Sequence, residues 1–233
     1  MNTGKYSADV PLAQRLANVR RRLCDALHAA GRQDEVTLVA VGKTWPASVL
    51  LEGYQLGVRH FGENYLQEAL VKQRLLGHCD ITWHFVGPIQ SNKTRAIATH
   101  FHWVHTVDRL KIARRLNDQR PEWLPPLDVC IQVNVSGEAS KAGVAPAAVA
   151  DLVAAIRELP RLHLRGLMTI PAPATGFDAQ RRPFRLLRQL REALELEDLS
   201  MGMSADLEAA VWEGATLVRV GSDLFGPRRP RRE

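Results

Sequence analysis

The sequence predicts an α/β fold, a single (βα)8 barrel of the TIM type with one extra N-terminal helix. Three observations carry that expectation. Eight short apolar runs recur along the 233 residues, segments with helical spacing separate them, and polar residues and glycines gather directly after the runs. The repeat interval is that of a strand plus a crossover helix. Eight such units in about 200 residues favour a closed barrel over an open doubly wound sheet.

In chain order, residues 11–30 read as the extra helix. The apolar runs then fall at 36–41, 58–61, 81–86, 103–107, 129–135, 162–168, 199–201 and 217–220. They are rich in branched residues, as strands buried on both faces require. Residues 147–159 and 184–196 carry apolar side chains at helical spacing. No repeat, low-complexity stretch or linker offers a boundary. One domain over residues 1–233 is therefore expected, with the basic tail 227–233 as a solvated, mobile end.

At 45% hydrophobic the chain can build one sizeable core. No apolar run approaches the roughly 20 residues that span a bilayer, and Met1 to Ala8 lacks the apolar centre of a signal peptide. A cytoplasmic location, away from membranes, follows as the expectation. Cys24, Cys79 and Cys130 stand far apart without a CxxC pair, which argues against a disulfide framework or a cysteine-based zinc site. Each is expected to pack as a small buried apolar residue. The net charge of +6 resides largely in "GPRRPRRE", where Arg228, Arg229, Arg231 and Arg232 form a tail rather than a patch. Such a tail attracts phosphate without a specific site, which makes nucleic-acid binding an unfavoured alternative.

In a barrel of this type the functional residues lie just after the strands. The first run ends in Lys43, on the face shared with Thr37, Val39 and Val41 by period-two alternation. An isolated strand-end lysine ordinarily snorkels into water. At an inward, desolvated position its pKa falls, and the neutral amine can attack an aldehyde to form a Schiff base. The ends of runs seven and eight supply a reason to prefer the second role. In "SMGMSADLEAAV", Ser204 reads as the N-cap of a helix starting at Ala205; in "VRVGSDLFG", Gly221 permits close approach and Ser222 adds a hydroxyl. The loops after strands seven and eight commonly cradle phosphate. Arg219 is donor-only and keeps its proton, so a pyridine nitrogen facing it must be an unprotonated acceptor. An aldehyde, a phosphate arm and a pyridine ring together describe pyridoxal 5′-phosphate (PLP).

The motifs "AVGKTWP", "HFGENYLQE", "WHFVGPIQSNK", "VNVSGEASKAG", "LRGLMTIP", "LSMGMSADLEAAV" and "VRVGSDLFG" occur in that order. They resemble the pyridoxal phosphate homeostasis proteins, relatives of the N-terminal barrel of alanine racemase, over roughly residues 10 to 227. The resemblance implies that Lys43 carries PLP as a Schiff base, that Arg219 faces the pyridine nitrogen, and that Ser204, Gly221 and Ser222 hold the phosphate. It implies a place for Asn64 near the ring hydroxyl. It further implies a role in PLP, vitamin B6 and amino-acid homeostasis, with PLP-dependent apo-enzymes as candidate recipients and a monomeric carrier rather than an enzyme. Two departures stand out. Gly42 replaces the family's more usual serine and is expected to change little, while Asp223 stands where a small apolar residue is usual and would repel phosphate if it pointed inward.

A small PLP-dependent racemase is the enzymatic alternative. The racemase relatives take a tyrosine from a second domain, which the eight units leave no chain to build; of Tyr6, Tyr54 and Tyr65, Tyr65 is the nearest substitute. His84, His100, His102 and His105 invite a metal reading, but no acidic residue completes a ligand set. Glu63 and Glu138 read as helix-start or loop carboxylates.

Overall fold

The computed structural model describes residues 10–137 and 142–227. Expectations for Tyr6, Glu138, Lys141 and the arginines of the tail lie outside the described residues. Helix α1 (Leu12–Ala29) comes first, burying Leu12, Leu16, Val19, Leu23 and Ala26 at helical spacing. The strands are β1 (Thr37–Val41), β2 (His60–Glu63), β3 (Thr82–Phe85), β4 (Trp103–Val107), β5 (Leu127–Gln132), β6 (Leu162–Met168), β7 (Asp198–Ser200) and β8 (Leu217–Val220). Between and after them run α2 (Ala47–Gln55), α3 (Leu66–Leu75), α4 (Thr94–His100), α5 (Leu110–Gln119), α6 (Val149–Arg157), α7 (Phe177–Ala193), α8 (Leu207–Trp212) and α9 (Ser222–Phe225).

The strands pair in sequence order and close into a barrel, every pairing parallel. β8 returns to β1 with Val39 opposite Arg219 and Ala40 opposite Val220. Alternation along the strands sorts the side chains into two layers. Phe61, Phe85, Val104, Leu199, Val218 and Val220 join the apolar layer between strands and helices. The residues alternating with them, among them His84, His105, Ser200 and Arg219, face the barrel interior and are buried there. The inner layer is therefore unusually polar for a barrel core.

Several boundaries differ from those expected. β2 begins at His60 because the Val58 N–H donates to the Gly53 carbonyl, 3.0 Å, capping the preceding helix rather than entering the ladder. β5 runs earlier, over Leu127–Gln132, while Val133 makes only an isolated bridge to Val144. α7 starts seven residues before the expected 184, with Pro183 inside it. A proline early in a helix forfeits a single backbone bond while the apolar face on either side stays packed. Of the three cysteines only Cys130 is buried; Cys24 is exposed on α1 and Cys79 is half-buried. No helix among the described residues is long and apolar enough to cross a membrane.

Candidate functional site

All six residues singled out from the sequence, Lys43, Asn64, Ser204, Arg219, Gly221 and Ser222, line one cleft of about 280 Å³ at the C-terminal mouth of the barrel. Lys43 follows β1 on the inward face, where Val41 also lines the cleft. The backbone around it is braced from behind. Thr44 has φ 69°, an uncommon conformation for a β-branched residue, and its N–H donates to Glu68 Oε1 at 2.6 Å. Lys72 Nζ donates to the Gly42 carbonyl at 2.8 Å, to Glu63 Oε1 at 2.7 Å and to Glu68 Oε1 at 2.5 Å.

This cluster corrects the reading of Glu63 as a helix-start or loop carboxylate. It is the last residue of β2 and fully buried, on the side facing α3. Burial pushes its carboxyl up to about 7, against the pull of Lys72 and Lys43. Gly42 is likewise not indifferent: a Cβ there would lie 2.8 Å from Leu50 Cδ1 and 3.1 Å from Glu63 Oε1.

Asn64, just beyond β2, contributes a buried side-chain Oδ1 with no hydrogen-bond partner among the described residues. Its carbonyl packs so tightly on Gly87 that a Cβ at 87 would fall 2.1 Å away, so only glycine lets the β3 loop close on it. Arg219, in β8, is buried and donates from Nη1 to Ser200 Oγ at 2.7 Å and from Nη2 to the Thr169 carbonyl at 2.9 Å. Burial lowers its pKa to about 10, with Asp206 opposing, so it remains a cation at neutral pH.

The cup formed by the last two loops differs in detail from expectation. Ser204 does not cap a helix. α8 starts at Leu207, and the Asp206 carboxylate, accepting the Met203 N–H at 2.7 Å, holds the preceding turn. Ser204 instead meets the other loop: its Oγ lies 3.2 Å from Ser222 Oγ and accepts the Asp223 N–H at 3.3 Å. Gly221 has room for close approach only, since a Cβ would sit 3.3 Å from the Val41 carbonyl. Asp223 does not face the cup. Its carboxylate pairs with Arg22 of α1, which also engages Glu208 at 2.7 Å and the Ser204 carbonyl at 3.0 Å. The repulsion considered from sequence is thereby turned away.

Trp45, Met203, Ala205 and Ile170 also line the cleft and were not anticipated; only their position next to strand ends could have flagged them. Tyr65 does not line it. The histidines serve differently than a metal reading supposes. His84 and His105 are buried in the barrel interior, hydrogen-bonded to each other, and no group of three ligating side chains among the described residues is placed to hold a metal ion.

A closed parallel barrel with a lysine after its first strand and a buried arginine in its last defines a protein of the alanine racemase barrel class. The family model for the alanine racemase N-terminal domain matches residues 15–229. The pyridoxal phosphate homeostasis protein of Pseudomonas aeruginosa is 57% identical over 220 residues, covering 93% of this chain and 96% of that one. That of Escherichia coli K12 is 49% identical over 229 residues, covering 93% and 97%. PipY of Synechococcus elongatus PCC7942, in a structure with PLP bound, is 38% identical with a TM-score of 0.79 over 93% of this chain and 100% of that one. Alanine racemase of Clostridium difficile 630, at 14% identity and TM-score 0.68, shares the fold. The chain belongs to the pyridoxal phosphate homeostasis protein family.

Proposed function

We propose that this protein holds PLP as a Schiff base on Lys43 and serves PLP, vitamin B6 and amino-acid homeostasis as a carrier, without efficient amino-acid turnover. Residues 1–233 act in this reading as one PLP-binding barrel domain. The observation that carries it is the convergence in one cleft of an inward lysine, a buried guanidinium and two facing serine hydroxyls. The binding of PLP by PipY and the name of the close relatives support the choice of ligand.

PLP supplies an aldehyde carbon and an electron-accepting pyridine ring. Lys43 offers the amine. Ser204 and Ser222 turn hydroxyls to a phosphate beside Gly221, which lets the backbone approach. Arg219 donates to an unprotonated ring nitrogen, and the partnerless Asn64 Oδ1 accepts from a ring hydroxyl. These groups bind and orient. Racemisation by the usual two-base scheme needs a titrating acid or base on each face of the substrate α-carbon. Among the described residues lining the cleft, Lys43 is the one side chain with an amine–ammonium equilibrium; the rest are apolar, hydroxyl or amide groups and a guanidinium that stays charged.

Borohydride treatment of the holoprotein should fix a phosphopyridoxyl group on the Lys43 peptide, and Lys43→Ala should abolish the visible imine band. Label on Lys93 or Lys141 instead refutes the assignment. Incubation with L-amino acids in deuterium oxide should yield neither D-isomer nor α-deuterium at rates near 1 per second, the order of ordinary enzymes. Turnover at such rates, lost in Lys43→Ala, would make the protein a racemase.

A further inference from the structure

Three histidines and a serine form an unbroken hydrogen-bonded chain through the barrel interior. His60 Nδ1 lies 3.0 Å from His84 Nε2, His84 Nδ1 lies 2.8 Å from His105 Nε2, and His105 Nδ1 lies 2.6 Å from Ser200 Oγ. Arg219 Nη1 completes it at 2.7 Å from the same oxygen. The strand register makes a staircase. His60 opens β2 opposite Thr82, His84 sits two residues further along β3 opposite Trp103, and His105 stands two residues further along β4. The chain thus climbs from the N-terminal end of the strands to the arginine in the cleft.

Its direction follows from one donor-only group. Arg219 can only donate, so Ser200 Oγ accepts from it. Ser200 is fully buried, and among the described residues its own hydroxyl proton has one acceptor in reach, His105 Nδ1. With Nδ1 accepting, the proton of His105 is on Nε2 and points to His84 Nδ1; the same logic puts the His84 proton on Nε2, pointing to His60 Nδ1. The reverse order would aim two donors at Ser200 and leave a buried hydroxyl proton unpaired. Burial holds the His84 and His105 pKa values well below the ordinary histidine value, so both rings enter the chain uncharged. Trp103 stacks on His84 with ring centroids 5.6 Å apart.

We propose that His60, His84, His105 and Ser200 form a one-way relay of Nε2–H imidazoles, polarised by Arg219, that anchors its guanidinium in the cleft. Ser200 and the histidines are positioning residues, acting through Arg219 and touching no ligand. Neighbouring hydrogen bonds in such a chain strengthen one another. The link to ligand affinity rests on the PLP reading above; the tautomers do not.

Two-bond proton–nitrogen correlation spectra of histidine-labelled protein separate Nε2–H, Nδ1–H and imidazolium rings. At neutral pH, with signals assigned through His60→Gln, His84→Gln and His105→Gln, all three rings should be Nε2–H. An Nδ1–H or charged ring at His84 or His105 overturns the relay. Ser200→Ala removes one oxygen; it should shift the nitrogen signals of His105 and of the more distant His84, and weaken PLP binding by at least about tenfold, with Ser200→Thr restoring both. Unmoved histidine signals refute the relay, and shifted signals with unchanged PLP affinity refute the anchoring role. A wild-type protein that binds no PLP refutes the proposed function alone, since the wild-type spectra still decide the tautomers.

Discussion

At the scale of single residues, the ions behind Lys43 are held out of water, with Lys72 and Glu63 both buried. Lys72 touches the Gly42 carbonyl and both Glu63 and Glu68, and Glu68 takes the Thr44 N–H, so one ammonium braces the backbone on either side of Lys43. Taking one partner away leaves a charge or a polar group stranded without water. Lys72→Met should cost about 3–5 kcal/mol in urea unfolding, and the Glu63→Gln, Lys72→Met pair should cost clearly less than the two single changes summed. Additive losses would show that the two side chains do not depend on each other. Gly42→Ala should lose about 1–3 kcal/mol by overpacking against Leu50 and Glu63; a neutral result would mean that the Leu50 side chain moves aside freely.

The extra helix has a job at the scale of elements. α1 lays Leu12, Leu16, Val19 and Leu23 on the barrel and sends Arg22 to Asp223, Glu208 and the Ser204 carbonyl, tying together the loops that carry Ser204 and Ser222. Its side chain is 30% exposed, so the ion pairs add little to stability. Their consequence is directional: with Arg22 engaged, the Asp223 charge is spoken for outside the cup. Arg22→Ala should leave the unfolding midpoint nearly unchanged while weakening PLP binding several-fold, and adding Asp223→Ala should restore it. If the double variant binds as poorly as Arg22→Ala, loop tethering rather than charge is responsible.

For the whole molecule, the polar interior makes stability depend on acid. His84 and His105 have pKa values well below 6.5, so as pH falls through 6.5 the unfolded chain takes up protons that the folded core refuses. Stability is full above 6.5 and declines below it by about 1.4 kcal/mol per pH unit for each ring. Glu63 opposes this. Its carboxyl, raised from 4.5 to about 7, keeps a proton when folded that the unfolded chain has released, so between those values it stabilises as pH falls. Two rings against one carboxyl leave a net loss of about 1.4 kcal/mol per unit between pH 6.5 and about 5.5, to which half-buried His60 and the exposed His102 add in the same direction. Urea midpoints across that range should fall, and Glu63→Gln should make the fall steeper by up to about 1.4 kcal/mol per pH unit. Stability that is flat or rises toward pH 5.5 would mean the rings are charged in the fold.

Sequence alone determined the periodic matters: eight strands, their order, the extra helix, and Lys43, Asn64, Ser204, Arg219, Gly221 and Ser222 as residues at strand ends. Strand spacing and turn residues are local signals, and a closed barrel brings all such ends to one mouth, so the polar residues of the cleft were legible while Trp45, Ile170, Met203 and Ala205 were not. Tertiary structure decided whatever depends on a partner distant in the chain. Nothing near Asp223 in sequence reveals that Arg22, 201 positions earlier, turns it outward. Glu63 reads as an ordinary carboxylate until α3 folds Lys72 onto it, and the apolar spacing that reads from 184 becomes a helix from Phe177 only through packing. His60, His84, His105 and Ser200 belong to four strands that no pattern links. A hydrogen bond needs two groups within about 3 Å, and only closure of the barrel brings side chains up to 95 residues apart to that distance.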